Sequence, residues 1–312
     1  MNNKNAFLII TGPTGVGKTD FVDKLVQKLP CEIINIDVGQ FYTPLTIGTA
    51  KPDWKNQKTP HHLFDIIDEP KNFTVFEYRR LIEIKLNEIY LKNKLPILVG
   101  GSGFYIQSLL FPPQKQQKLE NINSYAKDCW EQLYKIDRER ALKIDKNDFY
   151  RINRALQIYN STGKKPSEFQ PEYKPIGNYF LIILDRARND LYKKINERVI
   201  QMINQGWIDE VKNLDNSWHA FLKEKKLIGY DDILRFINSE NGDEDLLTDT
   251  IKQKTRNYAK RQITFFKMLT KKIMNAEKTE KTKKLINYSW FNLSENDSEI
   301  YIQELLKNIK NK

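Results

Sequence analysis

Residues Gly12-Pro13-Thr14-Gly15-Val16-Gly17-Lys18-Thr19 satisfy the pattern G-x-x-x-x-G-K-[ST] at every fixed position, and that stretch commits the chain around it to one local topology. Ahead of it runs Ala6-Phe7-Leu8-Ile9-Ile10, short and continuously apolar, as a strand buried on both faces should be. Behind it Phe21, Val22, Leu25, Val26 and Leu29 recur at helical spacing. Strand, glycine-rich turn and helix in that order aim successive backbone N–H groups and the positive end of a helix dipole at one point, where an anion can sit. Lys18 is placed to reach a terminal phosphate, and the Thr19 hydroxyl to hold a Mg2+ ion. The loop does not say which phosphate compound it holds.

Composition narrows the class. With 312 residues, 40% of them hydrophobic and 29% charged, the chain reads as a soluble globular protein with room for a core domain and a smaller attached one. No apolar run approaches the length of a bilayer span, and Met1-Asn2-Asn3-Lys4-Asn5 lacks the apolar stretch of a signal peptide, so a cytoplasmic location with no membrane contact is expected. Cys31 and Cys129 lie far apart, which leaves neither a disulfide framework nor a zinc site. His61 and His62 would point to opposite faces of an extended segment, which argues against a metal there. Lys and Arg number 51 against 40 Asp and Glu, a net charge of +11. Such an excess favours polyanionic partners. Lys, Asn and Ile are abundant throughout, so codon bias accounts for part of the charge, and charge alone does not establish nucleic-acid binding.

A second apolar run, Ile33 to Ile36, ends at Asp37. In an open parallel sheet, ligands gather beyond the carboxyl ends of the strands, so Asp37 is expected beside the phosphate loop. General base, Mg2+ ligand and plain strand-end turn are all open to it at this point. Residues 38–70 carry Gly39, Pro44, Gly48, Pro52, Pro60 and Pro70, which forbid long regular elements. Thr74-Val75-Phe76-Glu77 reads as a capping box opening a helix that ends at Lys92 to Lys94. Pro96 to Val99 is expected as the third strand, and Gly100-Gly101-Ser102-Gly103 after it as a second glycine turn facing the same cleft. Pro112 to Lys118 is a composition break. From there to about Gly177 the pattern is helical, with Phe149, Ile152, Leu156 and Tyr159 striping one side of a helix, and Arg151 and Arg154 sharing a face that can clamp a phosphate backbone or simply face solvent.

A fourth strand is expected from Tyr179 to Asp185. The next helix turns Leu191, Ile195, Val199, Met202 and Ile203 inward and stops at Gly206, with Arg198 beside its apolar side and in need of an anionic partner. Lys226 to Asp231 reads as a glycine turn opening a helix. Ile251 to Met274 is the most basic helix, with Ile251, Tyr258, Gln262, Phe266 and Leu269 inward. Lys278 to Lys284 reads as a charged linker, Leu285 to Trp290 as an edge strand, and a helix from Ser298 closes the chain.

Several of these stretches together resemble one family, the tRNA dimethylallyltransferases or tRNA isopentenyltransferases. Besides the phosphate loop they are Ile47-Gly48-Thr49-Ala50-Lys51-Pro52, Pro60-His61-His62-Leu63, Val99-Gly100-Gly101-Ser102-Gly103-Phe104-Tyr105, Arg151-Ile152-Asn153-Arg154-Ala155-Leu156, Thr162-Gly163-Lys164, Ile228-Gly229-Tyr230 and Tyr258-Ala259-Lys260-Arg261-Gln262. They occur in the family's order from residue 8 to about residue 267. The resemblance implies an α/β fold, a P-loop NTPase or kinase-like parallel sheet core built from residues 1–111 and 178–312, with an inserted helical subdomain, residues 112–177, that contacts tRNA.

It further implies transfer of a dimethylallyl group from dimethylallyl diphosphate to N6 of the adenine at tRNA position 37, next to the anticodon, by a monomer using Mg2+. Asp37 matches the family's general base. Gly12 to Thr19 would bind the diphosphate, with Lys18, Thr19 and its Mg2+, and Arg198 stabilising the leaving group. The target base would be extruded from the anticodon stem-loop into a pocket between core and insertion, past Asp37, Val38, Gly39 and Gln40. Ser102, Tyr150, Arg151, Ile152, Asn153, Arg154, Lys226, Gly229, Tyr230, Asp231, Lys260, Arg261, Gln262 and Lys267 match further tRNA contacts.

Two positions depart from the family pattern. Val38 follows Asp37 where the family usually has Ser, which removes a hydroxyl near the base, and Asp145-Lys146-Asn147-Asp148 stands where His-Pro-Asn-Asp is usual. Two rival readings share some of these features: an ATP-binding small-molecule P-loop kinase, and a catalytically weak tRNA-binding paralogue. The kinase reading gives the basic helix no use, and the paralogue reading has no need of Asp37, Lys18 and Thr19 together.

Overall fold

The apolar runs become the strands of one sheet: β1 (Ala6–Thr11), β2 (Cys31–Asn35), β3 (His61–His62), β4 (Leu95–Val99), β5 (Asn178–Asp185) and β6 (Tyr288–Asn292). The computed structural model describes residues 5–113, 129–169, 171–240, 242–279 and 288–310. All strand pairs are parallel, in the order β3-β2-β4-β1-β5-β6. β1 is central, with Ile9 opposite Leu98 on one side and Leu181 on the other. Phe7, Ile9 and Ile10 are fully buried, which explains why β1 is apolar at consecutive positions rather than at alternate ones. Tyr288–Asn292 is an edge strand, as read from the sequence, although Leu285 to Asn287 lie outside the described residues.

His61–His62 is a strand that the sequence reading left inside an irregular segment, so the expected third and fourth strands are the fourth and fifth. Two residues between Pro60 and Leu63 carry too little periodicity to reveal a strand, and the pairing of Ile33 with His61 is what creates it.

Among the described residues twelve helices accompany the sheet: α1 (Lys18–Val26), α2 (Val75–Leu91), α3 (Gly103–Leu110), α4 (Cys129–Ile136), α5 (Arg138–Ala141), α6 (Phe149–Thr162), α7 (Arg188–Asn204), α8 (Trp207–Lys212), α9 (Asn216–Lys225), α10 (Tyr230–Ile237), α11 (Glu244–Thr279) and α12 (Ser298–Lys310). The expected capping box opens α2: Thr74 Oγ1 accepts from the Glu77 amide at 3.2 Å, and Glu77 accepts from the Thr74 amide at 2.7 Å. One face of the sheet packs Leu8, Ile10, Ile33, Ile97 and Ile182 against Phe21 and Leu25 of α1, Leu191 and Ile195 of α7, Ala259 of α11 and Ile302 of α12. Helix α11 is longer than the basic stretch alone suggested. No Gly or Pro interrupts 244–279, so the helix continues through Lys278 and Thr279, where a linker was expected.

The chain divides into two compact units, residues 1–110 with 175–312 and residues 111–174. In the smaller unit, Cys129, Leu133, Ala141, Ile144, Ile152 and Ala155 form the core. The expected stripe on α6 is corrected at its start: Phe149, the first residue of the helix, is 39% exposed, and burial begins one turn later at Ile152. Among the described residues no helix is long and apolar enough to cross a membrane.

Candidate active site

Neighbouring strands β2, β4 and β1 deliver their carboxyl ends side by side. The chain leaves them through Asp37, the Gly100 to Gly103 turn and the phosphate loop, and all three line one cavity of about 810 Å³ in the larger unit. This is the crevice in which an open parallel sheet binds ligands.

Gly17 caps α1 with φ 102, a left-handed conformation that a side chain would strain, and this directs the first turn of the helix into the cavity. The Lys18 ammonium donates to the Gly12 and Pro13 carbonyls at 3.1 and 3.2 Å. Burial pulls its pKa down to about 8; the Asp37 carboxylate opposes that shift and the Arg198 guanidinium reinforces it. Arg198 reaches the cavity from α7. Burial lowers its pKa too, and Asp37 again acts in the opposite sense. Asp37 thus acts on Arg198 through its charge, and among the described residues the two form no ion pair.

Asp37 is held from both sides. Its backbone N–H donates to Asn35 Oδ1 at 2.8 Å, and its Oδ1 accepts from the Gly101 amide at 2.6 Å and from the Ser102 hydroxyl at 3.4 Å. The Ser102 oxygen in turn accepts from the Val38 amide at 3.2 Å. A hydroxyl therefore does reach Asp37, supplied by Ser102 from the neighbouring strand end. Tyr258 of α11 lines the same cavity, and burial, then the Asp37 charge, push its phenol up to about 12, so it stays protonated.

Gln262, placed by resemblance among the tRNA contacts, is buried, and its amide is engaged at both ends. Oε1 accepts from the Thr14 amide of the phosphate loop at 2.9 Å, and Nε2 donates to the Gly101 carbonyl at 2.9 Å. Gly101 is required for that approach, since a Cβ there would lie 2.5 Å from Nε2.

The remaining candidate residues divide by location. Val38, Gly39, Gln40, Ser102, Lys226, Tyr230, Arg261 and Gln262 line the cavity with Asp37. The Gln40 amide donates to the Thr49 and Ala50 carbonyls at 3.1 and 3.3 Å, which fixes it against the Ile47 to Pro52 motif. Tyr230 is buried and its hydroxyl donates to Glu210 at 2.8 Å, while Asp231 pairs with Arg235. Gly229, with φ 83, caps α10. Lys260 and Lys267 are exposed along α11. Tyr150, Arg151, Ile152, Asn153 and Arg154 lie on α6 of the smaller unit, where Arg151 is paired with Asp148 at 2.8 Å and Ile152 is core.

Two residues that the sequence reading passed over organise the cavity wall. Glu210 accepts from the amides of Thr46 at 2.9 Å and Gly48 at 3.3 Å, and also from Ile47. An acidic residue in the first turn of a short helix looks like a solvated face, so no local signal marks it. The Lys51 side chain is buried, donates to the Tyr42 and Thr43 carbonyls at 2.8 and 3.2 Å, and pairs with Asp65. Its place inside a motif was the available clue.

Thr19 lines the cavity beside Lys18. Among the described residues no group of three or more His, Cys, Asp or Glu could hold a metal unaided. The Thr19 hydroxyl is an oxygen donor of the kind a hard cation such as Mg2+ takes, with waters and substrate phosphates completing its shell.

A family model described as IPP transferase matches residues 40–269. The chain is 35% identical over 315 residues to a tRNA dimethylallyltransferase of Petrotoga mobilis, covering 97% of this chain and 98% of that one. A tRNA dimethylallyltransferase of Alkaliphilus oremlandii is 35% identical over 327 residues, with 98% of each chain covered. Among solved structures, the full-length tRNA isopentenylpyrophosphate transferase of Bacillus halodurans superposes with a TM-score of 0.65 at 30% identity, covering 98% of this chain and 96% of that one. A eukaryotic dimethylallyltransferase captured acting on tRNA superposes with a TM-score of 0.79 at 26% identity, covering 99% and 80%.

Proposed function

The chain belongs to the IPP transferase family, the tRNA dimethylallyltransferases, and from that premise and the cavity geometry we infer that it transfers a dimethylallyl group from dimethylallyl diphosphate to N6 of adenine 37 in tRNA. The products are N6-dimethylallyladenosine and diphosphate. The observation that carries this reading is the convergence of Asp37, Lys18 and Arg198 on one cavity, a fixed carboxylate facing two cations.

The chemistry follows from those positions. Adenine N6 is a weak nucleophile because its lone pair is delocalised into the ring. Asp37, held by the Gly101 amide and the Ser102 hydroxyl, accepts the N6 proton as the new N–C bond forms. The allylic C–O bond breaks at the same carbon, and the electron pair leaves with the diphosphate. Lys18, Arg198 and the loop amides stabilise the charge that develops there. Thr19 would hold Mg2+, which when bound neutralises part of the diphosphate charge.

The exposed Lys260 and Lys267 and the cavity-lining Arg261 and Lys226 are on the acceptor side, with Arg151 and Arg154 of the smaller unit as further backbone contacts for the anticodon stem-loop. The enzyme works as a monomer in the cytoplasm on this reading. Incubation with Mg2+, radiolabelled dimethylallyl diphosphate and unmodified tRNA, followed by nucleoside analysis, tests it. Label in N6-dimethylallyladenosine is the expected result. Retention of tRNA without transfer would leave a binding protein instead.

A further inference from the structure

Residues 260–262 are consecutive on α11, yet they face different ways. Lys260 and Arg261 are exposed, whereas Gln262 is 7% exposed and turned into the sheet end. Its side chain is turned away from the outer surface of the helix and lines the cavity. It spans the phosphate loop and the turn after β4, taking the Thr14 N–H on one end and giving an N–H to Gly101 O on the other. The same Gly101 residue then donates its own N–H to Asp37 Oδ1. Hydrogen bonds joined through the backbone of Gly101 therefore link the phosphate loop, Gln262 and the carboxylate.

Only a primary amide of this length offers an acceptor and a donor in one plane to two fixed backbone groups. Asp and Glu lack the donor, and Leu or Met would leave the buried Gly101 carbonyl and the part-buried Thr14 amide without this partner. The absence of a Cβ at Gly101 keeps the approach open at 2.9 Å.

We propose that Gln262 is a positioning residue for the prenyl donor and the general base, not a contact for tRNA. It sets the separation between the loop that holds the leaving group and the turn that orients Asp37. The role rests on the functional reading above for the identity of the donor. A residue in the middle of the basic helix thus governs the other substrate.

The decisive comparison is between wild type and Gln262→Met, which keeps the volume and removes both hydrogen bonds. Calorimetric affinity for dimethylallyl diphosphate should fall about tenfold, the scale of a lost hydrogen-bonded pair, and kcat should fall with it. Affinity for an anticodon stem-loop RNA should stay within about twofold, because no hydrogen bond to RNA is removed. Weakened stem-loop binding with unchanged donor affinity would overturn the proposal. In the unaltered protein, residue-resolved hydrogen exchange provides a second reading that does not depend on the variant folding. The Thr14 amide should exchange slowly before any ligand is added, and rapid exchange would overturn the proposal too. If the wild-type protein binds neither ligand, the functional reading falls and takes the donor-side role of Gln262 with it. Wild-type binding with an indifferent Gln262→Met removes the role of Gln262 alone.

Discussion

The Gly101 amide donates a 2.6 Å hydrogen bond to Oδ1 of Asp37, joining two strand ends that are 64 residues apart in the chain. A carboxylate held in this way presents its other oxygen in a fixed direction, which is what a general base needs.

Replacing Asp37 with Asn keeps an oxygen for the Gly101 amide and for Ser102 while removing the basic group. Transfer is expected to slow by at least about a hundredfold, the lower end for loss of a general base. Donor and tRNA affinities should remain within a few-fold. Single-turnover assays with prebound tRNA separate the two effects, and near-normal turnover would take Asp37 out of the mechanism.

Burial holds the Lys18 ammonium at about 8, so the ligand-free protein loses that charge as pH climbs past this value. The protonated form is the one that pairs with diphosphate. Donor affinity should be level below about pH 8 and fall above it by up to about tenfold per unit. The effect on stability has the opposite sign. Between about 8 and the ordinary value of 10.5 the unfolded chain binds more protons than the folded one, so this lysine adds stability as pH rises through that window. Calorimetry of donor binding from pH 6.5 to 9.5 checks the first statement, using about 0.5-unit steps to resolve the break.

Lys260 and Arg261 are exposed on α11, Arg261 also lining the cavity, and neither takes part in the hydrogen bonds that Gln262 makes. The double substitution to Ala should weaken tRNA binding and reduce the slope of log K against log salt by about 1.5, as expected for two lost phosphate contacts. Dimethylallyl diphosphate affinity should hardly change. Filter binding across a salt series reads the slope directly, and an unaltered slope would move the RNA to another face.

Glu32 sits at the amino end of β2, outside the cavity lining, with a side chain 1% exposed. Burial works against its charge, but hydrogen bonds from Lys94, His62 and Lys92 bring its pKa down to about 2. Glu32→Gln should cost about 1.5–3 kcal/mol of stability, the range for hydrogen bonds to a charged group, and leave kcat within about twofold. Because the folded value is below the ordinary 4.5, that contribution is complete above pH 4.5 and is lost as pH falls toward 2. Denaturant melts of both proteins at pH 7 and pH 3, about four units apart on the titration, should show the difference narrowing in acid.

The phosphate loop, the apolar strands on either side of the sheet centre and the Thr74 capping box were all legible because each is a local pattern. A turn that needs glycine at 17, a strand buried on both faces, or a hydroxyl three residues before a Glu writes its requirement into neighbouring positions. The strand at His61–His62 was not legible, since two residues hold no period and their pairing with β2 makes them a strand. The continuation of α11 through Thr279 was missed for a related reason: a run of charge suggests a linker, but nothing in 244–279 breaks a helix that is already nucleated and packed.

The sequence by itself determined the anion-binding turn, the parallel α/β core and the family, and with the family came the expectation that Asp37, Lys18 and Thr19 carry the chemistry. Tertiary structure alone decided what those residues touch. Strand order put β4 between β1 and β2, and so put Gly101 and Ser102 on Asp37 rather than on some other strand end. It also turned Gln262 inward to the two glycine turns, and it placed Glu210 beneath the Thr46 to Gly48 amides. These are contacts between backbone groups and side chains far apart in the chain. A backbone amide is the same in every residue, so no sequence pattern marks which one a distant side chain will find.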